Sequence, residues 1–538
     1  MNQMLSKIAQ LNEIGIALSA TTDVDILCDK ILTGAMELTS SDGGSLYQMS
    51  DDKTALEFVI VTTHSLDIHM GGSSGHTIKF PPIPLITKGV PNKSNVVSCA
   101  VHDEKTINIP DVYHAEGFDF SGTRKFDQQT GYRTQSILTV PLKNHHGEII
   151  GVLQLINAKD QTTGDTREFT AADQQLAESL ASQAAVAITN NRLIEEQREL
   201  FEAFIKLMAS AIDEKSPYTG GHCKRVPELT MMIADACHRS DSEALKDFKM
   251  TDKDRYELTI AGWLHDCGKV TTPEYVVDKA TKLETIYDRI NTVDTRFEVL
   301  KRDAKIESQQ KKIDRLTQDP TSDCTDIDEQ LQAKVKQLDD DRSFIRNSNV
   351  GGEFMDDDSQ QRVRDIAGYR WVDADGVNAR FFDEDEVENL TITRGTLTAD
   401  EREVINNHMA VTIKMLAQLP FPRHLLNVPE YAGGHHERMD GKGYPNGLTR
   451  EQMSVQARMM GIADIFEALS ASDRPYKTGK PLTECLRILG FMKKDHHIDP
   501  DIFDVFVRDK VYLRYAEAFL PKNQIDEVRH DDIPGYED

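Results

Sequence analysis

Residues 257–270 read ELTIAGWLHDCGKV, an apolar run with helical spacing that ends near an adjacent histidine and aspartate. A second aspartate, Asp464, lies inside the apolar run MMGIADIFEAL. An ionised carboxylate is costly to bury in an apolar helix unless it is paired or bound to a metal ion. His265, Asp266 and Asp464 are therefore candidate ligands, and the segments that carry them are predicted to be helical.

Histidines elsewhere in the chain extend this pattern. His222 ends the stretch YTGGH, His408 lies on a predicted helix, and His435 and His436 precede a glycine-rich segment. Imidazole nitrogens together with carboxylate oxygens suit Fe, Mn, Zn or Ni better than Ca²⁺ or a cysteine-type zinc site. Each histidine alone is typical of a capping or core residue, so the metal hypothesis depends on their joint order.

In that order, seven motifs resemble the HD-GYP domains, which belong to the HD superfamily of metal-dependent phosphohydrolases. The motifs are YTGGH (218–222), HDCGK (265–269), LTADEREVINNH (397–408), HHERMDGKGYP (435–445), IADIFEAL (462–469), DRPYK (473–477) and HIDPDIFDVF (497–506). The resemblance implies an all-α C-terminal domain that uses bound metal ions to hydrolyse a phosphodiester.

The resemblance also implies which residues hold metal. One divalent ion would be held by His222, His265, Asp266 and Asp464. The other would be held by His408, His435 and His436, with Asp266 bridging the two ions. Fe or Mn is expected first, and Ni, Mg or Zn are alternatives. Some family members carry a carboxylate for a third metal where this chain has Tyr218, so two ions are expected.

Catalytic and substrate-binding residues follow from the same resemblance. It assigns catalytic roles to Asp266 and Lys269, and Lys269 would stabilise charge on a phosphate oxygen. The residues expected to contact the substrate are Gly441, Tyr444, Arg474 and Lys477. The implied substrate is cyclic di-GMP, which the family hydrolyses to pGpG and, in some members, onward to GMP; which of the two is the end product here is left open. Hydrolysis of cyclic GMP–AMP, or a non-catalytic domain that binds cyclic di-GMP or a protein partner, are the alternatives.

The N-terminal region, residues 1–170, alternates helical and strand patterns. SDGG at 41–44 is predicted to be a turn. The β-rich runs 136–144 and 148–158 are joined by a short connection containing glycine, which is typical of a β-hairpin. These patterns predict an α+β domain with an antiparallel sheet and helices.

Motifs in this region resemble GAF sensor domains. They are INIPDVY (107–113), TGYRTQSILTVPL (130–142) and GEIIGVLQLINA (147–158). Lys125, Phe126 and Asp127 match part of the residue set that accompanies cyclic-nucleotide binding in GAF domains. The resemblance leaves two alternatives open: a domain that binds a small molecule such as a cyclic nucleotide, and a ligand-free dimerisation domain.

Residues 171–215 contain no proline or glycine and predict one long connecting helix. Its apolar stripe is too extensive to be solvated alone, which favours pairing with a second copy of the chain. The alternative is a helix that closes one domain and runs into the first helix of the next. We expect a homodimer under either interpretation.

An insertion, residues 283–394, separates the two parts of the HD-GYP-like domain, 216–282 and 395–520. Its first apolar seam is Leu283, Ile286, Ile290, Val293, Phe297 and Leu300, and the returning seam is Leu331, Val335, Leu338 and Ile345. Spacings of three and four residues predict an antiparallel coiled-coil hairpin. YRWVDADGVNARFF, later in the insertion, predicts a small β-hairpin. Residues 521–538 form a C-terminal tail.

The net charge and composition of the chain argue against two classes of binding partner. The 538 residues include 62 Lys and Arg against 89 Asp and Glu, and the formal net charge is −27. A surface this acidic argues against broad binding to nucleic acid or to an anionic membrane. No membrane span, signal peptide or CxxC pair is evident. We therefore expect a cytoplasmic, bacterial-type signalling enzyme.

Overall fold

The computed structural model describes residues 2–215, 221–352, 354–373, 375–471 and 479–537. The chain divides into two compact units, Met1–Leu200 and Phe201–Asp538, and the division falls inside one long helix. The finer domain boundaries drawn from the sequence stay predictions. Within the described ranges, no helix is both long and apolar enough to cross a membrane.

The first unit is an α+β domain with an antiparallel sheet, which confirms the predicted fold class. Its helices are α1 (Asn2–Ser19), α2 (Val24–Thr39), α3 (Val96–Asp103), α4 (Ser121–Thr130) and the first part of α5 (Ala171–Lys215). Its strands are β1 (Ser41–Met49), β2 (Ala55–Thr63), β3 (Ile68–Gly71), β4 (Ile83–Pro84), β5 (Ile86–Thr87), β6 (Val90–Pro91), β7 (Ile107–Ile109), β8 (Ile137–Lys143), β9 (Ile149–Lys159) and β10 (Thr166–Arg167).

The main sheet follows the order β3-β2-β1-β9-β8-β7, and these neighbours are antiparallel. The predicted hairpin is confirmed as β8 and β9, which pair from Ile137 opposite Ile156 to Lys143 opposite Ile149. Leucines of both strands, such as Leu138 and Leu155, enter one buried core with the apolar faces of α2 and α5. Helices therefore cover one face of this sheet.

The prediction of a turn at SDGG (41–44) is wrong, because these residues form the start of β1. A Cβ atom added at Gly44 would lie 2.8 Å from Leu32 Cδ1 and 2.9 Å from the Gln154 carbonyl oxygen. The glycine thus allows helix α2 and strand β9 to approach β1 closely. Its small size, and not a turn conformation, explains its place in the sequence.

The second unit is almost entirely helical, as predicted. After α5 its helices are α6 (His222–Arg239), α7 (Asp252–Leu264), α8 (Glu274–Val277), α9 (Ile290–Gln318), α10 (Thr325–Asn349), α11 (Asp357–Ala367), α12 (Glu384–Leu390), α13 (Ala399–Leu416), α14 (Val428–Gly433), α15 (Val455–Ser470), α16 (Leu482–Lys494), α17 (Pro500–Arg508) and α18 (Val511–Phe519). Strands β11 (Arg370–Val372) and β12 (Asn378–Arg380) form the predicted small hairpin.

The insertion forms a helical hairpin of α9 and α10, as predicted, but its first helix begins later than the apolar pattern indicated. Ile286 is 95% exposed and lies before α9, which starts at Ile290. Leu283 is buried, yet it also precedes the helix. The Glu284 carboxylate accepts the N–H groups of Ala280 and Thr281, so a local turn competes with helix extension here.

The insertion has a hydrophobic core of its own. This core consists of Leu283, Val293, Phe297, Leu338, Ile345, Met355, Val363, Ile366, Phe381, Phe382 and Leu390. Farther along α9, beyond the predicted seam, the apolar side chains of Ile306 and Ile313 are 63% and 57% exposed. The helical hairpin is therefore stabilised at its base, where α11, α12 and the small sheet pack against it.

Candidate metal centre

Seven of the sequence-predicted ligands come together in the second unit in two groups that share one residue. The first group is His222, His265, Asp266 and Asp464. The second group is Asp266, His408, His435 and His436. Within each group, the candidate ligand atoms all lie within 4.8 Å of one another. The division matches the two ligand sets that the sequence resemblance implied, whereas the metal-binding role of each residue stays a prediction.

Asp266 lies at the centre of both groups and is only 1% exposed. Its Oδ2 atom is 3.1 Å from His222 Nε2 and 3.2 Å from His265 Nε2. Its Oδ1 atom is 3.3 Å from His408 Nε2 on the other side. One carboxylate therefore directs one oxygen toward each group, as a bridging ligand of two cations would.

Three of the histidines are oriented by the same device, a hydrogen bond from Nδ1–H to the carbonyl oxygen three residues earlier. The pairs are His265 with Gly262 at 2.6 Å, His408 with Ile405 at 2.5 Å, and His435 with Ala432 at 2.6 Å. Because a carbonyl only accepts, the proton of each neutral ring is on Nδ1. Nε2 then presents its lone pair to the centre, the orientation that metal-ligating histidines adopt.

Buried acceptor atoms at the centre lack hydrogen-bond donors among the described residues. These atoms are Asp266 Oδ1, His408 Nε2 and His435 Nε2. A buried acceptor without a hydrogen-bond partner destabilises the folded state by about 1–3 kcal/mol. Three such acceptors in one place would be unusual unless something bound there satisfies them. All three belong to the second ligand group, and one cation among them would satisfy them, so this group fits a metal site of mixed nitrogen and oxygen ligands.

Electrostatics keep Asp266, His435 and His436 in the protonation states in which they can bind a metal ion. Burial would raise the pKa of Asp266, but the Lys269 ammonium and the His265 imidazole outweigh it and hold that pKa well below its usual range. Burial lowers the pKa of His435 well below the ordinary value and that of His436 to about 4. Near neutral pH the carboxylate is therefore ionised and these two imidazoles are neutral.

Glu467 is a supporting residue that the sequence analysis missed. It is 1% exposed and follows Asp464 by three residues on α15, so both carboxylates lie on one helix face. Glu467 Oε2 is 2.5 Å from His222 Nδ1, and its Oε1 accepts from Arg225 Nε at 2.8 Å. The i, i+3 spacing of two acidic residues in an otherwise apolar helix was the signal that could have revealed it.

Tight packing against α13 explains why the HDCGK motif has a glycine at position 268. A Cβ atom there would lie 2.0 Å from the His408 carbonyl oxygen and 2.6 Å from Thr412 Oγ1. The Gly268 N–H donates to Thr412 Oγ1 at 2.9 Å. The short 3₁₀ turn Cys267–Thr271 thereby packs directly on α13, which brings the first and second ligand groups together.

Lys269, the predicted catalytic lysine, lies against the shared carboxylate. Its Nζ donates to Asp266 Oδ2 at 2.5 Å. Burial would lower the pKa of Lys269, but the carboxylates of Asp266 and Asp464 outweigh it and raise that pKa, so the side chain is a cation. Its contact with substrate stays a prediction.

The GKGYP loop is held beside the second ligand group. The Tyr444 ring stacks on the His436 imidazole, with ring centroids 4.8 Å apart and 18° between the planes. The buried Glu437 carboxylate accepts the N–H groups of Asn446 at 2.7 Å and Leu448 at 2.9 Å. Glu437 thus fixes the loop that carries the predicted substrate-binding tyrosine.

Gly441, also predicted to contact substrate, adopts φ +74°, a conformation that side chains other than glycine rarely take. Arg474 and Lys477, the predicted cationic contacts, lie outside the described residues, and so does Tyr218. The substrate-binding roles of Gly441 and Tyr444 are not tested by the geometry and stay predictions.

Comparison with known families finds matches to two separate regions of the chain. A family model described as the GAF domain matches residues 23–188, and one described as the HD domain matches residues 385–502. The chain combines a GAF domain with an HD domain. The second match contains His408, His435, His436 and Asp464, whereas the ligands His222, His265 and Asp266 precede the insertion.

Curated proteins similar to parts of this chain are named as cyclic dinucleotide phosphodiesterases. The 3′3′-cGAMP-specific phosphodiesterase 1 of Vibrio cholerae is 36% identical over 135 residues, which cover 25% of this chain and 30% of that protein. A cyclic di-GMP phosphodiesterase of Pseudomonas aeruginosa is 46% identical over 74 residues, 14% of this chain and 17% of that protein. The chain thus spans less than a third of the length of these relatives.

Among solved structures, the GAF domain of a phosphoenolpyruvate-protein phosphotransferase from Coxiella burnetii is similar to this chain, with a TM-score of 0.28 and 14% identity. The match covers 36% of this chain and 98% of that structure.

Proposed function

We propose that the protein is a metal-dependent phosphodiesterase that hydrolyses cyclic di-GMP to pGpG and onward to GMP. The observation that carries this proposal is the pair of ligand groups around Asp266, with three buried acceptor atoms directed at the same place. The names of the relatives support the substrate class, because they act on cyclic di-GMP or on cyclic GMP–AMP. Cyclic GMP–AMP is therefore the second candidate substrate.

Two divalent cations, Fe or Mn before Ni, Mg or Zn, fit the ligand set of five histidines and two aspartates. When bound, they would supply Lewis acidity that activates water and polarises the phosphoryl oxygens. His222, His265 and Asp464 would hold one cation, His408, His435 and His436 the other, and Asp266 both.

The protein's own groups would position the substrate and balance its charge. In the first hydrolysis, a water oxygen attacks phosphorus and the bond to O3′ breaks, so the product carries a 5′-phosphate and a free 3′-hydroxyl. The Lys269 ammonium lies beside Asp266 and would hold a non-bridging phosphoryl oxygen as charge develops. Tyr444, stacked on His436, would limit movement of the substrate at the second ligand group.

We also propose that the GAF domain regulates this site through the last turn of α5. Lys215 Nζ donates to the carbonyl oxygens of Lys269 at 3.2 Å, Val270 at 2.5 Å and Thr272 at 2.6 Å. A shift of α5 would therefore pull directly on the turn that follows Asp266. The GAF ligand is unidentified, and a cyclic nucleotide is our first candidate.

A homodimer joined along α5 is part of the proposal. Four apolar residues of this helix repeat every seven positions and are exposed, namely Val186 at 42%, Leu193 at 50%, Leu200 at 58% and Leu207 at 64%. A seven-residue apolar repeat is the pattern by which two helices pair. All seven cysteines are free thiols, which supports our proposal that the enzyme acts in the reducing cytoplasm.

The test of the proposed function is product analysis. Purified protein, loaded separately with Mn²⁺ or Fe²⁺, is incubated with cyclic di-GMP, cyclic GMP–AMP or cyclic di-AMP, and the products are identified by chromatography and mass spectrometry. We expect pGpG and then GMP from cyclic di-GMP. Absence of hydrolysis of every cyclic dinucleotide by metal-loaded protein would contradict the proposal.

A further inference from the structure

The helical hairpin of the insertion carries a row of apolar side chains on α9. Val299, Ile306 and Ile313 follow one another at intervals of seven residues, and Leu316 extends the row toward the end of the helix. The side chains of Ile306, Ile313 and Leu316 are 63%, 57% and 41% exposed. Seven residues make about two helical turns, so the row lies along one face of α9.

This row faces away from α10, the other helix of the hairpin. Ion pairs that join α9 to α10 include Lys301–Asp339, Lys312–Asp328 and Arg315–Asp326. Ser308, on the same side of α9 as these cations, is buried. Ile306 precedes Ser308 by two residues, which is a rotation of roughly 200° about the helix axis. The hairpin is therefore closed by polar contacts here, and its apolar row is left on the outside.

The two sides of the apolar row carry charges of opposite sign. With a step of roughly 100° per residue, Arg302 and Lys305 lie on one side of Ile306, and Asp303 and Asp314 lie on the other. All four side chains are exposed. None of the four forms an ion pair within the part of the chain that the structure describes, so their charges are available to a partner.

The other polar residues near the row leave this distribution unchanged. Glu307 lies on the acidic side, and Lys311, farther round the helix, pairs with it at 2.6 Å. Gln309 and Gln310 lie between the two isoleucines and carry no charge. Polar residues within an apolar seam weaken helix pairing but favour a single register.

This face is complementary to a second copy of itself, but only in one orientation. When two identical helices pair in parallel, each side of one helix meets the opposite side of the other, so the basic side faces the acidic side. In an antiparallel pair each side meets its own equivalent, and like charges repel one another. The charge pattern thus selects both a partner, another copy of this chain, and a parallel arrangement.

We propose that residues 299–316 of α9 form a self-association surface on which the insertions of two copies of the chain pair in parallel, with Ile306 packed against its equivalent. One apolar residue in seven is a narrower seam than that of a full coiled coil, so this contact adds to the dimer along α5 and does not replace it. The inference rests on the proposed homodimer and is independent of the metal centre and its reaction.

The test is disulfide trapping in the full-length chain. Cys324, the half-exposed cysteine of the hairpin, is first changed to Ser, and the other six cysteines are buried. Ile306→Cys then places a thiol on the row, and Ala333→Cys, an exposed change on α10, is the matched control. Under mild oxidation we expect covalent dimers of Ile306→Cys to form at least about tenfold faster than those of the control, because pairing raises the local concentration of the thiols. Non-reducing electrophoresis measures both rates.

Charge exchange tests the orientation. Arg302→Glu with Lys305→Glu, added to Ile306→Cys, makes both sides of the row acidic and should slow trapping to the rate of the control. Adding Asp303→Lys and Asp314→Lys exchanges the two sides and should restore fast trapping. A general loss of helix structure would not be rescued in this way, and circular dichroism checks that each variant is folded.

The mass of the chain in solution, measured by analytical ultracentrifugation, separates the possible failures. A monomeric chain would overturn the proposed homodimer and this inference with it. A dimer in which Ile306→Cys is trapped no faster than Ala333→Cys would overturn only the contact between insertions. Trapping of Ile306→Cys chains with Ile313→Cys chains, but not with one another, would show antiparallel pairing and overturn the parallel arrangement.

Discussion

The metal centre and the core of the insertion lie in the same unit but are stabilised in opposite ways. The metal centre gathers polar side chains from α6, α13, α15 and the residues that follow α7 and α14, and directed hydrogen bonds fix their orientation. The insertion core gathers apolar side chains from one continuous stretch of chain. Changes in the centre should therefore affect chemistry before stability, and changes in the insertion core should affect stability before chemistry.

The largest effect is expected from removing the shared carboxylate. Asp266→Ala takes one ligand from each group and leaves two cations with too little negative charge. We expect turnover of cyclic di-GMP to be abolished while the helical circular dichroism spectrum is retained. Hydrolysis near the wild-type rate by a variant prepared metal-free and then reloaded would show that the ligand assignment is wrong.

A smaller loss in the same centre is expected from Glu467→Gln. The change keeps the size of the side chain but removes the charge that pairs with Arg225 and orients His222. Residues that orient a ligand typically contribute 10- to 100-fold to metal affinity, and we expect a loss of about that size. Competition with a metal-binding dye measures it. An affinity equal to that of the wild type would mean that Glu467 only stabilises the fold.

A substitution in the insertion core is expected to lower stability without affecting metal binding. Phe297 is fully buried there and meets Phe381 with ring centroids 4.6 Å apart. We expect Phe297→Ala to destabilise the insertion by about 3–5 kcal/mol in chemical denaturation. Metal content should stay at the wild-type level.

Replacing residues 283–394 with a short Gly/Ser linker tests more strongly whether the metal centre is independent of the insertion. Because the insertion has its own core, the remaining HD domain should fold and bind metal. Aggregation of the excised variant, or loss of its metal, would show that the insertion completes the catalytic core.

The smallest effect concerns Lys282, a buried lysine at the base of the insertion. Its Nζ donates to the carbonyl oxygens of Leu390 at 3.2 Å and Ile392 at 2.7 Å, and burial lowers its pKa to about 8. Between pH 8 and the ordinary lysine pKa near 10.4, the unfolded chain binds more protons than the folded one. The free energy of unfolding should therefore rise with pH in this window, by about 1–3 kcal/mol relative to Lys282→Met. Parallel pH profiles of the two proteins would contradict this assignment.

Some features of the metal centre could be predicted from the sequence and others could not, and the difference has a physical reason. The seven ligands could be predicted because histidine and aspartate in apolar helices are chemically conspicuous, and their order resembles a known domain. Glu467 and Gly268 were missed because their roles depend on partners across the fold, His222 for one and the carbonyl of His408 for the other. The sequence shows which side chains are present, but it does not show which residues from distant parts of the chain come into contact in the fold.

The same reasoning explains two wrong predictions. SDGG has the composition of a turn, but Gly44 is required by the packing of a helix on strand β1. The apolar spacing of the insertion extends back to Leu283, but the capping interactions of Glu284 hold that segment in a turn. In both places a specific local contact overrides a periodic pattern. The continuous helix α5 has no such competing contact to break it, and its 45 residues follow the prediction closely.

The most direct test of the account is the metal stoichiometry of the wild type and of Asp266→Asn, measured by elemental mass spectrometry on protein purified and loaded under identical conditions. This substitution keeps the shape of the side chain but removes its charge. We expect two divalent ions per chain in the wild type and fewer than one in the variant, with both proteins folded by circular dichroism. Equal metal content in the two proteins, or no metal in the wild type, would contradict a centre built around a shared Asp266.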